Sequence, residues 1–154
     1  MNVKERGFTI LELLLATVIL LIGILGLIGL QAAAISGNSS ANQMTVATTL
    51  AQDQIEQLKR LDFYDAALAD DVANNATLTN PPNIGSIDHA DANNPIDEKG
   101  GTTGLRRYQR FWNVADNTPI TGVKTIVVFV YWGTVDNATG LTQHRVIIPT
   151  TIGQ

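Results

Sequence analysis

The hydrophobic positions of this chain fall into three patterns, and each predicts a different element. From Phe8 to Leu30, 16 of 23 residues are Phe, Ile, Leu or Val, broken by Thr9, Glu12, Ala16, Thr17, Gly23, Gly26 and Gly29. As a helix this run spans roughly 35 Å, enough for a bilayer core of ~30 Å. Next, Ala47, Leu50, Ala51, Ile55, Leu58 and Leu61 recur at three- and four-residue spacing, which predicts an amphipathic continuation of the helix over 31–61. Finally, Leu105–Val114, Val123–Trp132 and Leu141–Ile148 are rich in aromatic and β-branched residues and are separated by turn-forming runs. They predict a three-stranded antiparallel meander within 105–154. Val123–Trp132 is apolar on both faces and is expected at the centre, with one face against the amphipathic half of the helix.

Between helix and strands, residues 62–104 turn to Asp, Asn, Ala, Pro and Gly with no sustained period, and read as a polar connecting loop region. Asp88, Asp91, Asp97 and Glu98 lie there without the alternating spacing and central glycine of a calcium loop. His89 and His144 each lack the sequence companions that a metal or proton-transfer site needs. Asn-x-Ser/Thr triplets at Asn38, Asn75 and Asn137 support no glycosylation reading.

Composition narrows the function classes. With 154 residues there is room for one head domain plus one long accessory element. Ten basic residues against fourteen acidic ones, a net charge of −4, leave no footprint for a polyanion, so nucleic acid is not an expected partner. Arg106, Tyr108, Arg110 and Trp112 do alternate onto one strand face, but a half-exposed strand with snorkelling arginines accounts for them. Cysteine is absent, so neither a disulfide framework nor a thiolate metal site is available. No nucleophile–base pair, phosphate loop or metal cluster is visible, and the chain reads as a non-enzyme without cofactor or metal.

Glu12 is the anomaly of the apolar run. A carboxylate in a membrane helix costs ~3 kcal/mol, whereas sixteen strongly apolar residues return roughly 5 to 10 kcal/mol, so insertion still wins. The charge is unnecessary for anchoring and needs another reason. Lys4 and Arg6, just ahead of Gly7, argue that residues 1–7 stay cytoplasmic and that the C-terminal part is exported. A secretory signal cut after Ala32-Ala33-Ala34 is the competing reading, and an ordinary single-pass anchor is another. The apolar run is long for the former, and the helical pattern continues past the alanines.

Gly7-Phe8-Thr9-Ile10-Leu11-Glu12 resembles the signature of type IV prepilins. The resemblance implies a leader over 1–7, cleavage by a prepilin peptidase between Gly7 and Phe8, and N-methylation of Phe8. It also implies an α+β, type IV pilin-like lollipop fold: a long N-terminal helix, its first half transmembrane or in the filament core over 8–30, packed on a small antiparallel sheet. Glu12 would then be an assembly charge partner for the mature amine of Phe8, in its own chain or a neighbour's. Gly23, Gly26 and Gly29 would lend the helix flexibility. The segment Gly23–Gln31, with Leu50-Ala51-Gln52-Asp53 and Glu56-Gln57-Leu58, is similar to PilV-type minor pilins, the type IV pilus modification proteins. The partners implied are the peptidase, other pilins through their N-terminal helices, the inner membrane and the pilus assembly platform. The location implied is a single-pass inner-membrane precursor and then an extracellular pilus or periplasmic filament. A minor pseudopilin of a type II secretion system shares these N-terminal features. A secreted binding domain with a cleaved signal is the reading from a different class.

Overall fold

The computed structural model describes residues 7–72 and 77–154. Lys4, Glu5 and Arg6 of the expected leader, and Asn75 of one Asn-x-Ser/Thr triplet, lie outside the described residues. The chain divides into two compact units, Met1–Ala41 and Asn42–Gln154.

One helix, α1, covers Ile10–Lys59, 50 residues or about 75 Å at 1.5 Å per residue. It starts where a cap is available: Thr9 Oγ1 accepts from Glu12 N at 3.2 Å, and Thr9 O accepts from Leu13 N at 3.1 Å. In the first unit every described residue is exposed, including the whole apolar run. The most hydrophobic part of α1 has a mean hydropathy of 2.9 and is long and apolar enough to cross a membrane.

The second unit has the interior that the first lacks. Strands β1 (His89–Ala90), β2 (Tyr108–Asp116), β3 (Val123–Val135) and β4 (Thr142–Gly153) form an antiparallel sheet in the order β1-β2-β3-β4. β3 is central, as its two apolar faces require. Its even-numbered residues Ile126, Val128, Val130 and Trp132 join Ala47, Leu50, Ala51, Ile55 and Leu58 of α1 in one core cluster. Its odd-numbered residues Val127, Phe129 and Tyr131 join Phe111, Ile87 and Leu141 in a second cluster on the other face. The α+β architecture expected from the sequence is therefore present, a long N-terminal helix whose later turns pack on an antiparallel sheet.

Several details differ from expectation. The sheet has four strands rather than three, because His89 and Ala90 pair with Trp112 and Phe111. The strands also run longer, β3 to Val135 and β4 to Gly153. The helix stops at Lys59, and Leu61 is 38% exposed rather than the last member of the buried stripe. The 62–104 segment contributes to the interior: Leu68 and Ile96 are fully buried against the helix side, while Ile87 and Leu78 cover the other face. These anchors stand nine or ten residues apart, a spacing that matches neither helix nor strand.

Polar side chains hold this segment in place. Three consecutive carbonyls are taken by three strands: Trp112 Nε1 donates to Ala67 O at 2.8 Å, Lys124 Nζ to Leu68 O at 2.8 Å, and His89 Nε2 to Ala69 O at 2.7 Å. Asp88 then accepts from Val72 N at 2.9 Å and from Val114 N at 2.7 Å. Burial pushes the Asp88 carboxyl above its ordinary value, and those two N–H groups offset part of the shift. Further along, Asp97 accepts from Lys99 N, Gly101 N and Gly104 N at 2.8–2.9 Å, which holds its carboxyl below the ordinary range. Gly100 sits in this turn at φ +76°, a conformation that favours glycine.

Arg110 also departs from expectation. It shares a face of β2 with Tyr108 and Trp112, but α1 covers that face. Instead of snorkelling to solvent, its guanidinium pairs with Asp91 and donates from Nη1 to Leu50 O at 3.3 Å. A buried guanidinium needs a carboxylate and a carbonyl to replace water, and Asp91 and Leu50 provide them.

Candidate functional site: the N-terminal segment

Gly7, Phe8 and Thr9 precede α1 in non-helical backbone, and Glu12 lies in the first helical turn. With Thr9 as N-cap, Ile10 and Leu11 follow and Glu12 occupies the third helical position. Thr-x-x-Glu is the capping-box pattern, and the Thr9 half of it is formed. Sequence reasoning missed this cap, although the four-residue spacing was there to find it.

A side chain at Gly7 would meet nothing within 4 Å. Nothing in the packing of the described residues therefore demands glycine there. Phe8 follows with its ring in the open, 84% exposed. Glu12 is exposed as well, on a turn whose other residues, Ile10, Leu11 and Leu13, are apolar and exposed. A carboxylate in the first turn is favoured by the helix dipole, by about 0.3–1 kcal/mol at an exposed site. That sum is small beside the ~3 kcal/mol cost of placing the charge in a membrane.

α1 runs unbroken through Gly23, Gly26 and Gly29, and a Cβ at any of the three would also meet nothing within 4 Å. In the isolated chain these glycines weaken the helix, each by about 1 kcal/mol relative to alanine, with no packing gain to offset it.

The other sequence candidates resolve into structural roles. His89 is not alone: besides its bond to Ala69 O it stacks on Trp112 at 5.5 Å and lies 3.8 Å from Asp71. His144 stacks on Trp132 at 5.8 Å. Asp88, Asp91 and Asp97 spend their oxygens on backbone N–H groups or on Arg110, and no group of three His, Cys, Asp or Glu that could hold a metal occurs among the described residues.

Compared with known proteins, residues 2–28 match the Prokaryotic N-terminal methylation motif. No curated protein and no solved structure matches the chain. The matched segment contains Gly7, Phe8 and Glu12 together with most of the exposed apolar run, and it supports a type IV pilin-like or pseudopilin-type prepilin. Such a motif implies processing by a prepilin peptidase and assembly with other pilins, and it indicates a structural subunit rather than an enzyme.

Proposed function

We propose that this chain is a minor type IV pilin of the PilV-like kind: a membrane-held precursor, cut between Gly7 and Phe8, methylated on Phe8 and built into a pilus by its N-terminal helix. The observation that carries the reading is the methylation motif over 2–28, which covers most of an apolar run, 8–30, that is exposed throughout. Sixteen strongly apolar side chains cannot stay in water, and two surroundings suit them: lipid before assembly and the helices of other subunits after it.

The steps follow from the residues. The peptidase removes 1–7 and leaves a new amine on Phe8. Glu12 supplies the negative charge that lets this cation enter a filament core, where an unpaired charge would be expensive. Gly23, Gly26 and Gly29 let the helix bend as it passes from bilayer to filament. The second unit stays outside the core and gives the subunit its surface. Adhesion, motility or uptake would be modified through that surface.

Two measurements test this. Intact-mass analysis of the protein from its native host should give a chain beginning at Phe8 and carrying one added methyl group; a start at Ile35, or an uncut Met1, would refute the prepilin reading. Shearing should release the processed protein with surface filaments. Retention in the cell envelope, with loss of a secreted protein on gene deletion, would instead indicate a pseudopilin of a type II secretion system.

A further inference from the structure

Only Phe8 and Thr9 stand between Gly7 and the first residue of α1, Ile10. The bond to be cut joins the carbonyl carbon of Gly7 to the nitrogen of Phe8. In a helix each N–H donates four residues back, so a helix grown one step further would give Glu12 N to Phe8 O. A second step would give Leu11 N to Gly7 O, the carbonyl that a peptidase has to attack. Among the described residues neither bond is present. Glu12 N donates instead to Thr9 Oγ1 at 3.2 Å, the ladder's first bond runs from Leu13 N to Thr9 O at 3.1 Å, and residues 7–9 are non-helical. The Thr9 hydroxyl thus takes the one N–H that would carry the ladder back to Phe8.

The apolar surroundings give the longer helix a driving force. Open N–H groups of a first turn are solvated in water, but beside lipid they are costly and favour growth of the helix towards further carbonyls. Ile10, Leu11 and Leu13 are exposed and apolar, so this turn belongs to the segment that suits lipid. Two residues resist the growth. Thr9 supplies a side-chain acceptor in place of a carbonyl. Gly7, with no neighbour near the place of a Cβ, is a poor helix former at the residue whose carbonyl would be captured next.

We infer that Thr9 is a positioning residue for the cleavage: its cap holds the Gly7–Phe8 bond out of the helix, where a peptidase can bind it as extended chain. The inference rests on the proposed cut by a prepilin peptidase and adds the conformation in which the bond is presented. A hydrolase has to polarise the Gly7 carbonyl oxygen with its own donors, and an oxygen already bonded to Leu11 N would be closed to them. In the reaction water adds its hydroxyl to the Gly7 carbonyl carbon, the bond to Phe8 N breaks, and the amine leaves on Phe8 with a proton. Thr9 touches none of these atoms. It acts through the backbone alone.

The test incubates the full-length precursor, in detergent micelles, with a prepilin peptidase and times the product beginning at Phe8 by intact mass. Thr9→Val keeps the size and branching of the side chain and removes the acceptor. A share of that precursor is then helical through Gly7, and a substrate only partly in its competent form binds more weakly by that fraction. KM should therefore rise severalfold, up to about fivefold, the ~1 kcal/mol typical of a lost cap at 1.4 kcal/mol per tenfold, while kcat holds. Thr9→Ser and Thr9→Asn restore an acceptor on side chains of different shape and should return KM to within about twofold of wild type. Amide exchange read by NMR in the same micelles should show the Leu11 N–H slowed in Thr9→Val and not in the other two. An uncut wild type would refute the cleavage reading itself. Wild type cut, with Thr9→Val cut at the same KM, would overturn the positioning role alone. So would a loss in kcat that serine restores and asparagine does not, the mark of a hydroxyl contacted directly by the peptidase.

Discussion

Glu12 separates the physics of anchoring from that of assembly, and replacing it with leucine or glutamine tests which one it serves. Glu12→Leu removes a charge that costs ~3 kcal/mol in lipid, so the variant should insert at least as well as the wild type. It leaves the Thr9 cap untouched, because Thr9 Oγ1 accepts from the backbone N–H of residue 12 and not from its side chain. What remains of the local loss is the dipole interaction, about 0.3–1 kcal/mol. If Glu12 neutralises the Phe8 amine in a filament core, removing it strands a buried cation at a cost of ~3–5 kcal/mol. At 1.4 kcal/mol per tenfold, that is a loss of more than about a hundredfold in the assembly equilibrium. Glu12→Gln distinguishes charge from shape, since it can complete the capping box but carries no negative charge. Wild type and both variants, expressed equally, are fractionated into inner membrane and sheared filaments, and processing at Gly7 is followed by mass. Both variants should be processed and membrane-held, and both should be depleted from filaments. Normal filament incorporation of Glu12→Leu would refute the pairing argument; rescue by glutamine alone would assign Glu12 to capping.

Three further outcomes concern the second unit. Asp91→Asn, or Arg110→Leu, breaks an ion pair whose side chains are 9% and 7% exposed, and should destabilise the fold by ~3–5 kcal/mol in urea titration; a change under ~1 kcal/mol would mean the pair is solvated in solution. Because Asp97 has its carboxyl held below the ordinary 3.8, its contribution is present above pH 3.8 and is lost as pH falls through its lowered value. Asp97→Asn should therefore lower the melting temperature at pH 7 and flatten its decline below pH 3.8, as read by circular dichroism; an unchanged acid limb would refute this. A chain beginning near Gln31 should be soluble, monomeric and cooperatively folded, since the buried stripe begins at Ala47, and an insoluble product would mean the earlier apolar run is needed for the fold.

Much of this was legible in the sequence because the decisive signals are local. Gly7, Phe8 and Glu12 span six residues, and the apolar run, the stripe from Ala47 to Leu58 and the two-faced strand at Val123–Trp132 each declare themselves by period. Less legible were features set by partners far along the chain. Arg110 reads as a surface arginine until Asp91, nineteen residues earlier, and Leu50, sixty residues earlier, are known to meet it. Leu68, Leu78, Ile87 and Ile96 are single anchors in polar surroundings, so periodicity could not see that their segment covers the sheet. β1 is two residues long and owes its existence to the ladder with β2.

The glycines of α1 show why the first unit has to be understood through what it meets. A residue kept against its own propensity is normally explained by a neighbour that needs the space or a backbone angle that needs the freedom. At Gly23, Gly26 and Gly29 neither holds: the backbone is helical and the nearest 4 Å is empty. Alanine at all three would strengthen the isolated helix by about 3 kcal/mol in total. On the proposed function, the compensating benefit is a bent helix, or another helix approaching where a Cβ would stand. Either would give the segment a role in company, and the exposed apolar surface around it suits the same reading. By contrast, the second unit has an interior of its own, closed by the later turns of α1 on one face of the sheet and by Leu78, Ile87 and Leu141 on the other.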